Sequence, residues 1–364
     1  MNDIDRRIAL KFIAEYYASA EFNIFQIEKR EFGIGLIKKI DARHLAFDSM
    51  EGFRKYLLTN TPLFVSHSTA YYEFPAATPI EKKSWFGNDL VFDLDMHSDG
   101  KYGVYHKLEE VKQDAIRLVE EFLLTDFGIS KKDILYVFSG NRGYHVHVRD
   151  KNYLDLCSDE RKEIVDYIRG TGLNYENFFD INESGRIIGP RPDEKGHRGR
   201  FARAAITMLE KEPVKLSRVF SKDEIRNNFI TGVREGNWSR TSIKDIISRL
   251  KIVADTLLLS TVNTDAGVTQ DLSKLIRVPN SIHGETGLIA KIISDINNFD
   301  PLKDAVININ KNEAKCIIFT EDVPEIEFAN STFGPFKKDE KKELQLVVAI
   351  FFVLKGSASF CSGQ

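Results

Sequence analysis

Leu90-Val91-Phe92-Asp93-Leu94-Asp95 reads as a strand that carries two acids on one face. Successive side chains of a strand point to opposite faces, so Asp93 and Asp95 share one side while Leu90, Phe92 and Leu94 fill the other. Two neighbouring carboxylates repel, and they stay ionised at low cost when a cation sits between them. Hard divalent ions with oxygen ligands, Mg²⁺ or Mn²⁺, meet that need. Taken alone, an Asp-x-Asp equally describes a strand end whose acids face solvent. The rest of the chain decides.

Working outward, the apolar run from Ile134 to Phe138 reads as a buried strand, and Tyr144 to Val148 as another. Between them lies Ser139-Gly140-Asn141-Arg142-Gly143, a short turn whose glycines let the backbone come close to a ligand. Ser139, Arg142 and His145 offer a hydroxyl, a guanidinium and an imidazole to phosphate oxygens. The plain alternative is a glycine-containing hairpin with solvated polar residues. A third stretch runs Asp265-Ala266-Gly267-Val268-Thr269-Gln270-Asp271, then Lys274-Leu275-Ile276-Arg277 and Val278-Pro279-Asn280-Ser281-Ile282-His283-Gly284. It supplies a further acid, Asp265, then two cations and a histidine around a turn. Asp271 reads as readily as a turn-stabilising acid. His147 shares a face with His145 and reads as a polar surface or supporting residue, while His97 and Asp99 fall in a loop.

The order Phe-Asp-Leu-Asp, Ser-Gly-Asn-Arg-Gly-Tyr-His, then Asp-x-x-Val-Thr-x-Asp with Leu-Ile-Arg-Val-Pro-Asn-Ser-Ile-His-Gly resembles the catalytic small subunit of archaeal and eukaryotic DNA primase. Supporting pieces are Arg30-Glu31-Phe32, Arg43-His44-Leu45-Ala46-Phe47, Tyr71-Tyr72-Glu73 and Glu81-Lys82-Lys83-Ser84-Trp85. The similarity runs collinearly over roughly residues 5 to 290, and three ordered motifs are far more specific than any one. The resemblance implies template-directed nucleotidyl transfer assisted by two ions, Mg²⁺ or Mn²⁺, that makes short RNA or DNA primers on single-stranded DNA. It implies that Asp93, Asp95 and Asp265 are the catalytic metal ligands. Ser139, Arg142, His145, Arg277 and His283 would then hold the NTP or dNTP. The implied partners are a large subunit, often carrying an iron–sulfur cluster, and the replicative polymerase and helicase machinery.

A sugar-nucleotide transferase can also use Asp-x-Asp, but that leaves the second and third motifs unexplained. Two further alternatives are a primase-polymerase of end-joining or lesion bypass and a non-catalytic template-binding subunit. The intact acids argue against the latter.

The family commonly carries a cysteine-rich zinc insert after the acidic strand. Here residues 96–106 hold no cysteine, so no zinc site is expected. Cys157, Cys316 and Cys361 are scattered and argue against a disulfide framework. The N-terminus shows no signal peptide, which leads to a protein that is not secreted. It would be cytoplasmic or nucleoid-associated if archaeal, and nuclear if eukaryotic. The net charge of −3 says little about nucleic acid. The basic run Arg186 to Arg203 says more, with Arg198 and Arg200 as candidate template contacts, although a solvated basic loop describes it equally well.

The order of elements predicts a mixed α/β fold, of the α+β kind. Its primase-type core would have two small β-sheets flanked by helices, with a helical subdomain in addition. Residues 6–20, 107–124 and 158–169 are expected helices, with Ser158 as the cap of the last. Residues 1–170 and 260–335 would form the discontinuous core, and 171–259 the helical subdomain. Residues 336–364 would be a C-terminal apolar element followed by a flexible tail from Gly356. The apolar run Leu344 to Leu354 is shorter than the about 20 residues that span a bilayer. It reads as a packed element, and no membrane is expected.

Overall fold

The motif strands read from the sequence pair with one another, which satisfies their backbone hydrogen bonds. In the computed structural model, which describes residues 1–96, 100–241, 243, 245–259, 261–309 and 313–361, Leu90–Asp95 lies antiparallel to Gly143–Val148. Of residues 258 and 259 the backbone is described, and His97 and Asp99 lie outside the described residues. Ile134–Phe138 pairs with the other edge of Gly143–Val148 and with Ile292–Ile293, which completes a four-stranded sheet. Its register sets Asp93 opposite His145 and Asp95 opposite Gly143.

A second four-stranded sheet runs in the order Leu275–Arg277, Phe64–Ser68, Phe32–Gly35, Ala42–Leu45. Here Leu275 lies opposite Ser68 and Arg277 opposite Ser66. The third motif is thereby divided, its cations on the second sheet and its acid tied to the first. The Asp265 N–H donates to the Asp93 carbonyl at 2.9 Å, and the Thr264 hydroxyl donates to the same oxygen at 3.1 Å. The short helix Ala266–Gln270 then packs Val268 against Val91 and Ile276. These two main sheets match the expected core. Smaller two- and three-stranded sheets accompany them.

The chain separates into two units. The first comprises Met1–Ile116, Ser130–Lys162 and the chain from Thr264 onward, and the second Arg117–Ile129 and Glu163–Asn263. The second is mainly helical, with Gly196–Lys211, Asp223–Arg234 and Lys251–Leu259. They close over a core that includes Phe201, Phe220, Phe229 and Trp238. Beyond residues 171–259, this unit also takes in residues 117–129 and 163–170. The expected helix at 107–124 is α-helical over Leu108–Arg117 and widens to π-helical geometry over Leu118–Asp126.

Ser158 is not a cap. It is the first residue of the helix Ser158–Arg169, and its hydroxyl donates to the Gln270 carbonyl at 2.9 Å, fastening the segment that follows Asp265.

The C-terminal region departs most from expectation. Lys341–Gln345 pairs with one edge of Ala314–Phe319, and Ala358–Phe360 pairs with the other. Between them the helix Leu346–Leu354 buries Val348, Ala349, Ile350, Phe351 and Phe352 completely. Residues 356–361 are therefore not a flexible tail. Their end is fixed by a Cys316–Cys361 disulfide and by the Phe360 N–H, which donates to Asp5 at 2.8 Å. The disulfide joins two of the three cysteines whose scatter argues against a disulfide framework. A bridge spanning 45 residues is created by strand register, which leaves no local spacing to read. No helix among the described residues is long and apolar enough to cross a membrane.

Candidate active site

Both main sheets contribute walls to one cleft of about 320 Å³. Asp93, Asp95, Arg142 and His145 line it from the first sheet and its turn, and Ser66, Lys274 and Arg277 from the second, with Ser139 and His283 completing it. Seven of the eight candidate acids and phosphate ligands thus meet in one place. Asp265, the eighth, is exposed and does not line the cleft, although its backbone bond keeps it beside Asp93.

The acids are electrostatically costly as they stand. Burial raises the Asp93 pKa to about 7, and repulsion from Asp95 and Asp265 adds to the shift, while Lys274 and Arg142 oppose it. One oxygen of Asp95 accepts from Arg142 Nη2 at 2.5 Å. Asp265 caps the helix Ala266–Gln270, its Oδ1 accepting from the Gly267 N–H at 2.9 Å. Among the described residues, no three His, Cys, Asp or Glu side chains converge on a common point that would hold a metal ion. The chemistry of the donors nevertheless fits a hard divalent cation. All are carboxylate oxygens, and their mutual repulsion, visible at Asp93, is the penalty that a dication removes.

The turn between the paired strands owes its glycines to neighbouring chain. At Gly143 a Cβ would stand 1.9 Å from the Leu94 carbonyl oxygen, so a side chain would break the pairing with Asp95. Gly140 has φ +84°, and a Cβ there would lie 2.8 Å from that of His283. These glycines serve close packing of the protein on itself, where the sequence suggested approach to a ligand. Ser139 has a similar task, since its Oγ accepts from the Gly143 N–H at 3.1 Å and closes the turn.

His145 and His283 are 5% and 6% exposed, and both are neutral. Burial, then the nearby Arg277 charge, holds the His145 pKa down at about 3. The same two causes lead at His283, whose Nδ1 accepts from the Glu285 N–H at 3.2 Å. Among the described residues Nδ1 of His145 has no hydrogen-bond partner, and its Nε2 lies 3.7 Å from Asp93 Oδ1. Arg277 stacks 5.6 Å from the Phe64 ring centroid; burial lowers its pKa only to about 10, so it stays charged at neutral pH. His147 is not at the surface. It is wholly buried beside His145, and neither ring nitrogen is hydrogen-bonded among the described residues.

Arg200 is not available to a template. Its side chain is buried against the Phe122 ring and pairs with buried Asp126, which also accepts from the Tyr167 hydroxyl at 2.9 Å. Arg198 is partly exposed, bound to Glu194 at 2.8 Å and to the Phe178 carbonyl at 2.9 Å. The sequence reading missed Lys39 and Glu285, which also line the cleft. For Lys39 the available signal was a Lys-Lys pair in the loop joining two short strands.

Residues 92–295 match the family model described as DNA primase small subunit. A protein of that name from Methanothrix thermoacetophila is 33% identical over 94% of this chain and 96% of its own length. Another, from Archaeoglobus fulgidus, is 31% identical over 97% and 98%, and one from Methanocaldococcus jannaschii 34% identical over 89% and 90%. On a match that begins in the acidic strand and runs through all three motifs, this chain belongs to the DNA primase small-subunit family.

Proposed function

We propose that this chain is the catalytic subunit of a DNA primase that joins nucleotides on a single-stranded DNA template by in-line nucleotidyl transfer. The observation that most supports the reading is the strand register that sets Asp93 opposite His145, uniting acids and phosphate-binding groups in one cleft. Family membership implies nucleotides, a template and a large-subunit partner in general terms.

In this reading Arg277 supplies fixed charge to the polyphosphate, and neutral His145 and His283 donate N–H groups to its oxygens. Arg142 exchanges Asp95 for a phosphate oxygen as nucleotide enters. Asp93, Asp95 and Asp265 would hold Mg²⁺ or Mn²⁺, which supplies activation of the primer hydroxyl and neutralisation of pyrophosphate charge. The protein's own contribution is alignment, since phosphoryl transfer depends chiefly on positioning and charge stabilisation.

The direct test is incorporation of labelled nucleotide on an unprimed single-stranded template with Mg²⁺ or Mn²⁺, beside Asp95→Ala. Metal-dependent product from the wild type alone supports the reading. Extension of annealed primers only would place initiation with the partner, and no synthesis in either assay would overturn catalysis.

His145→Ala should raise the nucleotide KM by about tenfold or more, because a hydrogen bond to a charged group is lost. Template affinity should stay as it was; a normal nucleotide affinity would remove His145 from the phosphate site. Divalent binding should also depend on pH. The raised Asp93 pKa means that a proton competes with the cation below pH about 7. Mn²⁺ affinity, read by electron paramagnetic resonance, should be about tenfold higher near pH 8 than near pH 6. Equal affinities at both would show that Asp93 is not a ligand.

A further inference from the structure

The C-terminal element brings a cation to the back of the nucleotide turn. Lys355 directly follows the buried helix Leu346–Leu354, at the end where unsatisfied carbonyls favour positive charge. Its Nζ stands 4.8 Å from the Tyr105 ring centroid and 3.5 Å from Oδ1 of Asn141. The Tyr105 hydroxyl reaches the same oxygen at 3.5 Å. Asn141 lies between Gly140 and Arg142 and lines the cleft. Lys355 is outside residues 92–295 that match the family model.

The corner that presents Lys355 is held from several sides. Gly356 has φ +70°, and its N–H donates to the Val353 carbonyl at 2.9 Å. Ser357 donates its N–H to the Phe352 carbonyl at 3.0 Å and its hydroxyl to Glu321 at 2.5 Å. Lys101 reaches both Glu321 and the Gly356 carbonyl. The strand Ala358–Phe360 and the Cys316–Cys361 bridge follow at once. These restraints fix the backbone from which Lys355 extends, and the Tyr105 ring and Asn141 are what its ammonium meets.

We propose that Lys355 is a positioning residue for nucleotide binding, holding Asn141 and thereby the turn that presents Arg142 to the polyphosphate. The inference rests on the phosphate-binding reading of Arg142 given above. Glu285 attracts the ammonium, Arg142 and Lys101 repel it, and among the described residues the Tyr105 ring and the His283 imidazole also face it. Burial is the largest influence and draws the Lys355 pKa down to about 8, against the pull of Glu285. Its charge is therefore present below that pH and lost above it. A neutral amine keeps neither the attraction to the Tyr105 ring nor the charge-assisted bond to Asn141.

The experiment measures KM and kcat for nucleotide on an annealed primer, from pH about 6.5 to about 9.5, for wild type, Lys355→Met and Lys355→Arg. Equilibrium binding of ATP with Mg²⁺ is measured beside it. Wild-type KM should rise about fivefold across the range. Lys355→Met should show the raised KM at every pH, with kcat near wild type at saturating nucleotide. Lys355→Arg, charged throughout, should keep the low KM and lose the rise. A Lys355→Met enzyme that matches wild type in KM at each pH overturns the proposal. Equal defects in both variants also overturn it, since that pattern belongs to packing alone. A wild type that binds ATP without incorporating it refutes the primase reading, and Lys355 is then judged by the same pattern in Kd.

Discussion

Asp95→Ala should lower nucleotide incorporation on the order of a thousandfold or more, the scale lost when a transition-state charge loses its support. Nucleotide binding should not fall with it. The carboxylate removed is the one that Arg142 now binds at 2.5 Å, so the guanidinium is left free for phosphate. Stability should also hold. Asp95 is only partly buried, and its removal relieves the repulsion that helps to raise the Asp93 pKa. That pKa should move back towards the usual carboxylate range. The expected signature is a collapsed kcat, an unchanged or lower nucleotide Kd, and an unchanged thermal midpoint. Incorporation within tenfold of wild type would refute a catalytic role for Asp95. A loss of kcat accompanied by a lowered midpoint would assign Asp95 to the fold.

Arg200→Met should destabilise the helical unit by about 3–5 kcal/mol, the cost of stranding a buried partner charge. Asp126 would keep its bonds from the Tyr167 hydroxyl and the Gly196 N–H but lose its counter-charge. The double variant Arg200→Met with Asp126→Leu should recover much of the loss, because no unpaired charge remains. Denaturant unfolding followed by tryptophan fluorescence reads this well. Trp238 is fully buried in that unit, whereas Trp85, the other tryptophan, is 39% exposed. The salt dependence of template affinity should stay unchanged. A flatter salt slope with little loss of stability would return Arg200 to the template.

These two residues mark what the sequence could and could not disclose. Asp95 was legible because strand alternation is local, and because the turn that opposes it carries its own pattern. Arg200 was not. Within Arg186 to Arg203 it is one basic residue among several, and the acid that claims it lies 74 positions away. The Cys316–Cys361 bridge escaped for the same reason, since its partners are brought together by pairing between strands. Gly140 and Gly143 were noticed correctly but for the wrong reason, because crowding by neighbouring backbone and side chain appears only once the elements are packed. Asp265 was read as an acid of the site, yet its place at a helix cap, outside the cleft wall, depends on a backbone bond to Asp93, 172 positions earlier in the chain.

The division of the chain into interleaved segments has a consequence for its birth on the ribosome. The helical unit draws mostly on Glu163–Asn263, a nearly continuous stretch that emerges together. The catalytic unit must wait for Thr264 to add its third acid, for Leu275–Arg277 to reach Phe64–Ser68, and for Phe360 to reach Asp5. Vectorial synthesis thus leaves the acidic strand and its hairpin partner waiting while the inserted helices already have a core to close. Nascent chains halted after the helical segment would carry Asp93, Asp95 and His145 without the strand that walls the other side of their cleft. The cleft is therefore walled on both sides only once Leu275–Arg277 has been made.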